Sequence, residues 1–233
     1  MADINKYSLE EYVNYLFSTE DTSIVGNDYV YIYNMVAYSG FKIKNFVDAG
    51  RKFLWNVCKS VTKSCYVHTA LSFDDKGKNL YEVNTKGFNA HPFDKSDNVG
   101  TTDYIDVYKI NVSPRQKTIV KNLLEKKVGK KDYDYLQLVR LLLPFMAGKK
   151  NDRTIVYNED KFTCSGFIAA VLYAAVPVFR KCVESLGKHV TYITPADYSK
   201  IDCCKFHKQI NIVKSGNKNK IGSAFFFKKN IFY

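Results

Sequence analysis

Residues 160–176 read DKFTCSGFIAAVLYAAV, a polar lead-in followed by a run that stays apolar up to Pro177. The run is rich in alanine and has no solvent-facing polar stripe. It therefore reads as a helix buried on every side, opening at Cys164 or Ser165 and ending before the proline. A thiol at that opening meets the positive end of the helix dipole and backbone N–H groups that the helix leaves unpaired, and both stabilise a thiolate. The Cys164 backbone N–H is in turn a candidate donor to an oxyanion. A free cysteine is equally an ordinary small core residue. Position alone leaves both readings open.

The elements around this helix alternate in type. The stretch 7–17 reads as a short amphipathic helix, and a turn at Gly26-Asn27-Asp28 leads into the aromatic strand YVYIYNMV. A helix is expected across 44–59. The stretches 66–73 and 79–84 pair as an antiparallel hairpin about the turn Asp75-Lys76-Gly77, and a strand covers 106–113. Pro114 then starts a helix that Gly129 stops, and YDYLQLVRLLLPFMAG forms another that is broken or ended near Pro144. After the cysteine helix come a shorter helix at 178–186, a turn in TPADYSKI, and terminal strands in FHKQINIV and GSAFFFKKNIFY. Strands thus stand before and after a block of helices, an α+β order in which an antiparallel sheet packs against the cysteine-bearing helix.

Two residues give the thiol a chemical context. His68 sits in CYVHTALSF, where it interrupts an ordinary strand pattern. A strand holds an imidazole rigidly enough to serve as the base for a thiol, although a packed core histidine fits the same pattern. Glu82, in LYEVN, lies on the strand paired with that of His68 and is placed to hold one ring nitrogen and fix its tautomer. Of the other histidines, His91 is read in a loop, and His189 and His207 stand in lysine-rich sequence towards the C-terminus.

The order of histidine strand, acidic strand and cysteine helix resembles the circularly permuted NlpC/P60 branch of the papain-like fold. That branch includes YiiX-type bacterial enzymes and proteins of poxviruses and other large DNA viruses. VHTAL resembles its histidine motif at His68, LYEV its acidic strand at Glu82, and FTCSGF its nucleophile motif at Cys164. Asp132-Tyr133-Asp134-Tyr135 and ITPADY at 193–198 resemble further segments, so the likeness runs from about residue 28 to 205. The family's Gly-Asp pair near the first strand is met here by Gly26-Asn27-Asp28. The resemblance implies one domain over 1–233, with 1–24 as a helical appendage and 205–233 as basic C-terminal strands. It implies a thiol hydrolase that cleaves a peptide, isopeptide or lipid amide bond through Cys164, His68, Glu82 and an acyl-enzyme, without a cofactor. Tyr29 or Tyr31, on the first strand, is the expected side-chain helper of the oxyanion hole.

Composition bounds the alternatives. Among 233 residues, 46% are hydrophobic and 15% aromatic, too many for a disordered chain. No run approaches about 18 uncharged apolar residues, and the opening MADINKYSLEEYV has no secretory pattern, so a cytoplasmic location is expected (host cytoplasm or virion for a viral protein). Six irregularly spaced cysteines do not make a disulfide scaffold. Cys203, Cys204 and His207 lack the second CxxC pair of a zinc site, so no metal is expected.

The net charge of +12 favours an anionic partner. It gathers at Lys121, Lys126, Lys127, Lys130 and Lys131, and at Lys214, Lys218, Lys220, Lys228 and Lys229 beside the aromatic run Phe225-Phe226-Phe227. Two alternatives follow from it. One is a lipid acyltransferase or phospholipase of the same fold, working on an amide or ester at an anionic membrane. The other is a basic nucleic-acid-binding or structural protein, for which the signal is compositional only. An acidic protein surface is a further partner for the lysines.

Overall fold

The sequence folds around a single six-stranded sheet. The structure, a computed structural model, describes residues 28–38, 40, 63–84, 87–96, 98–129 and 163–212, with scattered residues between 49 and 60. The expected helix in 7–17, the one following Tyr133, the strand in GSAFFFKKNIFY and the proposed appendage at 1–24 lie outside the described residues. Those described between 49 and 60 are helical, within the stretch expected to be helix.

The strands are β1 (Asp28–Ala37), β2 (Tyr66–Ser72), β3 (Leu80–Asn84), β4 (Gly87–His91), β5 (Thr102–Val112) and β6 (Lys205–Asn211). They lie in the order β4-β3-β2-β1-β5-β6, every neighbouring pair antiparallel. The α-helices whose bounds are described are α1 (Pro114–Glu125), α2 (Cys164–Ala175) and α3 (Pro177–Ser185). This is a mixed α+β fold.

Local chemistry explains the boundaries. The β2–β3 turn is held by Asp74, whose carboxylate accepts from the N–H groups of Lys76 and Lys78 at 3.0 and 3.1 Å. Gly77 supplies the left-handed step, with φ +68°. Helix α1 begins in a capping box: Ser113 accepts from the Gln116 N–H, the Gln116 side chain accepts from the Ser113 N–H, and Pro114 occupies the first turn. The Thr163 side chain caps α2 by accepting from the Gly166 N–H at 3.2 Å.

Strand alternation sorts the core into two layers. Val30, Ile32, Leu71, Tyr81, Val83, Tyr108 and Ile110 face the three helices and form the larger cluster with them. Tyr33, Met35, Ala70, Leu80, Ile105 and Val107 form a second cluster with Val99 and Ile210. Every residue of α2 except Tyr173 is buried, as its unbroken apolar composition requires. The helix packs against β2, β3, α1 and α3. The observed and expected elements differ chiefly at β4, where His91 was read in a loop and ends a strand. Gly87 (φ +104°) pairs with Asn84 and turns the chain back after two residues.

Candidate functional site

β2 and β3 are paired at only two positions, Ala70 with Glu82 and Leu71 with Tyr81. His68 lies two residues before Ala70 and shares its side of the strand, so it falls on the diagonal from Glu82. The His68 Nε2 and Glu82 Oε2 atoms are 2.7 Å apart. Glu82 is fully buried. A carboxylate has room for about four acceptor contacts, and here all are taken. The Asn98 amide donates to Oε2 at 3.0 Å, the Ser96 hydroxyl donates to Oε1 at 3.1 Å, and His91 Nε2 lies 2.7 Å from Oε1.

With Nε2 held by the carboxylate, the other ring nitrogen of His68 is left for Cys164, the titratable neighbour on its other side. The backbone N–H groups of Thr69, on β2, and Ser165, on α2, lie near enough to favour the thiolate. The start of α2 thus sits where the β2–β3 ladder has opened, with the thiol against the strand that carries the imidazole. The Cys164 N–H is the first of the helix, a donor that an α-helix does not itself satisfy.

The electrostatics follow from this packing. Burial alone raises a carboxyl pKa, but the charge and hydrogen bond of His68, with the hydrogen bonds of His91 and Asn98, outweigh it and hold Glu82 well below the usual range. Burial pushes the His68 imidazole down, and the neighbouring Cys164 and Glu82 more than reverse this, so the ring holds its proton more firmly than a free histidine. Burial pushes the Cys164 thiol up. The His68 charge, the hydrogen bond from its ring and the two backbone donors pull it below its ordinary value. The three groups favour a thiolate–imidazolium–carboxylate row.

The start of α2 is braced from the far side. The Tyr198 hydroxyl, fully buried, donates to the Ser165 carbonyl at 2.7 Å. Tyr198 lies in a short helical turn, Pro195–Lys200, whose entry is fixed by reciprocal Thr194 and Asp197 contacts and by Lys188, 2.7 Å from the Asp197 carboxylate. The Pro195 carbonyl accepts from the Asn34 side chain at 2.7 Å, and Asn34 accepts from the Thr69 hydroxyl at 2.9 Å. Thr69 is the residue next to His68. On the same side of the sheet, Tyr66 donates to Asp106, which also accepts from Gln209 at 2.8 Å.

No protein-family model and no curated protein matches the chain.

The structure thus brings together Cys164, His68 and Glu82. It places Tyr29 and Tyr31 elsewhere: Tyr31 packs against the second core cluster and lies 5.4 Å, ring to ring, from His207, while Lys109 stands 4.9 Å over the Tyr29 ring. Alternation along β1 puts both on the sheet face away from α2. His91, read as a loop residue, ends β4 and reaches Glu82; Ser96 and Asn98 join it from the following turn. The alternation of FNAH after Gly87 was the available sign of that strand.

Of the lysines, Lys121 is exposed and 3.7 Å from Glu125, Lys126 is exposed and Lys127 half-buried. Lys130, Lys131, Lys214, Lys218, Lys220, Lys228 and Lys229 lie outside the described residues. Among those residues no helix is long and apolar enough to cross a membrane, and no group of three His, Cys, Asp or Glu side chains is placed to hold a metal ion.

Proposed function

We propose that this chain is a thiol-dependent hydrolase of an amide bond, on a circularly permuted papain-like fold. The observation that carries the reading is one buried imidazole held by a buried carboxylate at 2.7 Å, with the thiol at the start of α2 as its other titratable neighbour. The Cys164 thiolate attacks the carbonyl carbon of the substrate, and the Cys164 N–H at the head of α2 donates to the oxygen as it becomes negative. The imidazolium of His68 gives its proton to the departing amine as the C–N bond breaks, leaving a thioester on Cys164. Neutral His68 then takes a proton from water, whose oxygen attacks the thioester. Collapse of the second tetrahedral intermediate expels the thiolate and releases the acid. Glu82 holds the ring in the orientation and tautomer that both transfers need.

Lys121 and Lys126, both exposed, are available to an anionic substrate or partner. Their one described ion pair is exposed and long, so it takes little from that role. The test uses a chloroacetamide probe on the native chain, with the labelled sites mapped by mass spectrometry. Selective labelling of Cys164, lost in His68→Ala while circular dichroism shows the variant folded, is the expected result. Equal labelling of every cysteine, or none at Cys164, overturns the reading.

A further inference from the structure

A thiolate at Cys164, an imidazolium at His68 and a carboxylate at Glu82 together carry two negative charges and one positive, and all three side chains are buried. Buried charge is costly unless it is paired, so the row calls for one further cation. The sheet register brings His91 to that place. Glu82 pairs with Ala70 on β2 and with Asn89 on β4. His68 lies two residues from Ala70, towards the Asn84 end of β3, and His91 lies two residues from Asn89, opposite Leu80. The carboxylate is therefore flanked by an imidazole on each of two opposite diagonals. His68 Nε2 stands 2.7 Å from Oε2, and His91 Nε2 stands 2.7 Å from Oε1.

The second nitrogen of His91 bears on its charge. Nδ1 is 3.1 Å from the Pro92 carbonyl. An ionised carboxylate and a peptide carbonyl can only accept, and a neutral imidazole has one N–H. Only the imidazolium, with an N–H on each nitrogen, satisfies both contacts. We propose that His91 is a positioning residue, held as an imidazolium at neutral pH, that acts on His68 and Cys164 through Glu82. It fixes one oxygen of the carboxylate and completes the charge of the row. This inference rests on the hydrolase reading for the charge assigned to Cys164.

The surroundings suit that role. Oε1 receives His91 and Ser96, and Oε2 receives His68 and Asn98, so each oxygen has one imidazole and one neutral donor. The carboxylate cannot turn without breaking contacts at both oxygens. The His91 side chain is 19% exposed against none for Glu82, which leaves the added cation partly solvated. Among the described residues, Glu82 faces His91 from β3, and His68 stands beyond Glu82 on β2. Asp94 and Lys95, on the turn after Pro92, are exposed and of opposite sign, and Asp97 lies outside the described residues.

A cation on the far side of Glu82 opposes protonation of His68 and favours the thiolate of Cys164. Its loss therefore moves both proton losses to higher pH. A unit charge roughly 10 Å away, at an effective dielectric near 20, shifts a titration by about one pH unit.

Two measurements on the full chain test the proposal. Long-range proton–nitrogen correlations of the nitrogen-15-labelled protein report the protonation of each imidazole, with the His91 ring assigned through bonds to its own backbone. At neutral pH both His91 nitrogens should be protonated, and the ring should become neutral in Glu82→Gln. A neutral His91 in the native chain, titrating near the ordinary value of about 6.5, overturns the proposal. The second measurement is the rate of iodoacetamide alkylation at Cys164 against pH, in variants that circular dichroism shows to be folded. His91→Gln, whose amide can still donate to Oε1, should move the lower limb up by about one pH unit. His91→Lys, which keeps the cation, should restore most of that shift. A limb unmoved in His91→Gln, or moved equally in both variants, overturns the role. The ring is read on the unmutated chain, so a misfolded variant does not remove the test. Failure of Cys164 to label overturns the hydrolase reading and leaves the ring measurement to judge His91.

Discussion

Glu82→Gln isolates what the buried carboxylate does. The substitution keeps the shape of the side chain and removes one acceptor oxygen together with the charge. In the native chain two donors converge on each oxygen: His68 and Asn98 on Oε2, His91 and Ser96 on Oε1. Whichever way the amide turns, its NH2 group faces an imidazole nitrogen and a second donor, so two charge-assisted hydrogen bonds are lost. Such bonds contribute about 1.5–3 kcal/mol each, and breaking a buried ion pair costs about 3–5 kcal/mol. A neutral imidazole can turn acceptor towards the amide and recover part of this, which sets the expected loss near 3 kcal/mol. For a chain of this size that is about 6–12 °C in the unfolding midpoint.

The pH dependence sharpens the test. The Glu82 pKa is held below its ordinary value of 4.5, so its contribution is fully present above that pH and is lost as the pH falls through the depressed value. The His68 pKa is raised above its ordinary 6.5, so its contribution is present below 6.5 and is lost as the pH rises through the raised value. The difference in midpoint between native chain and variant should therefore be widest between about pH 4.5 and 6.5 and narrow on either side. Thermal melts followed by circular dichroism across pH 3–9 measure it. The rate of iodoacetamide alkylation at Cys164 against pH should show its lower limb moved to higher pH in the variant, because a neutral His68 no longer supports the thiolate. A midpoint difference below about 2 °C near pH 6, or one that grows on acidification, would refute the reasoning.

Two smaller changes probe the start of α2. Thr163→Ala removes the cap on the Gly166 N–H and should cost about 1 kcal/mol, read as a loss of roughly 2–4 °C in a thermal melt, while leaving Glu82 titration unaffected; a loss above 8 °C would mean the cap holds more than one helix turn. Tyr198→Phe removes the hydroxyl that reaches the Ser165 carbonyl at 2.7 Å in a fully buried setting. It should cost about 1–2 kcal/mol and slow Cys164 alkylation; unchanged melting and labelling would show that the brace is not felt at the thiol.

The parts legible in the sequence are those set by short-range chemistry. Helix α2 was readable because its run is apolar throughout and stops at Pro177, and α1 because Pro114 opens it, its apolar residues recur at helical spacing and Gly129 stops it. The β2–β3 hairpin was readable because alternation and the turn at Gly77 agree. β4 was missed because five residues containing Gly87, Asn89 and His91 have little strand propensity of their own; pairing with β3 makes them a strand. With β4 unseen, His91 had no reason to approach Glu82. Tyr29 and Tyr31 were favoured for their place on the first strand, but the face a strand residue takes follows the register of the whole sheet, and that register turns both from α2.

The sequence by itself determined the α+β order, the head of the cysteine helix, and which residue types stand at Cys164, His68 and Glu82, because caps, turns and periodicity act over a few residues. Only the tertiary structure decided which of them meet. The approach of the α2 head to β2, the Tyr198 hydroxyl on the Ser165 carbonyl and the Asn34 side chain on the Pro195 carbonyl all join segments far apart in the chain, and no local pattern encodes a distance of that kind.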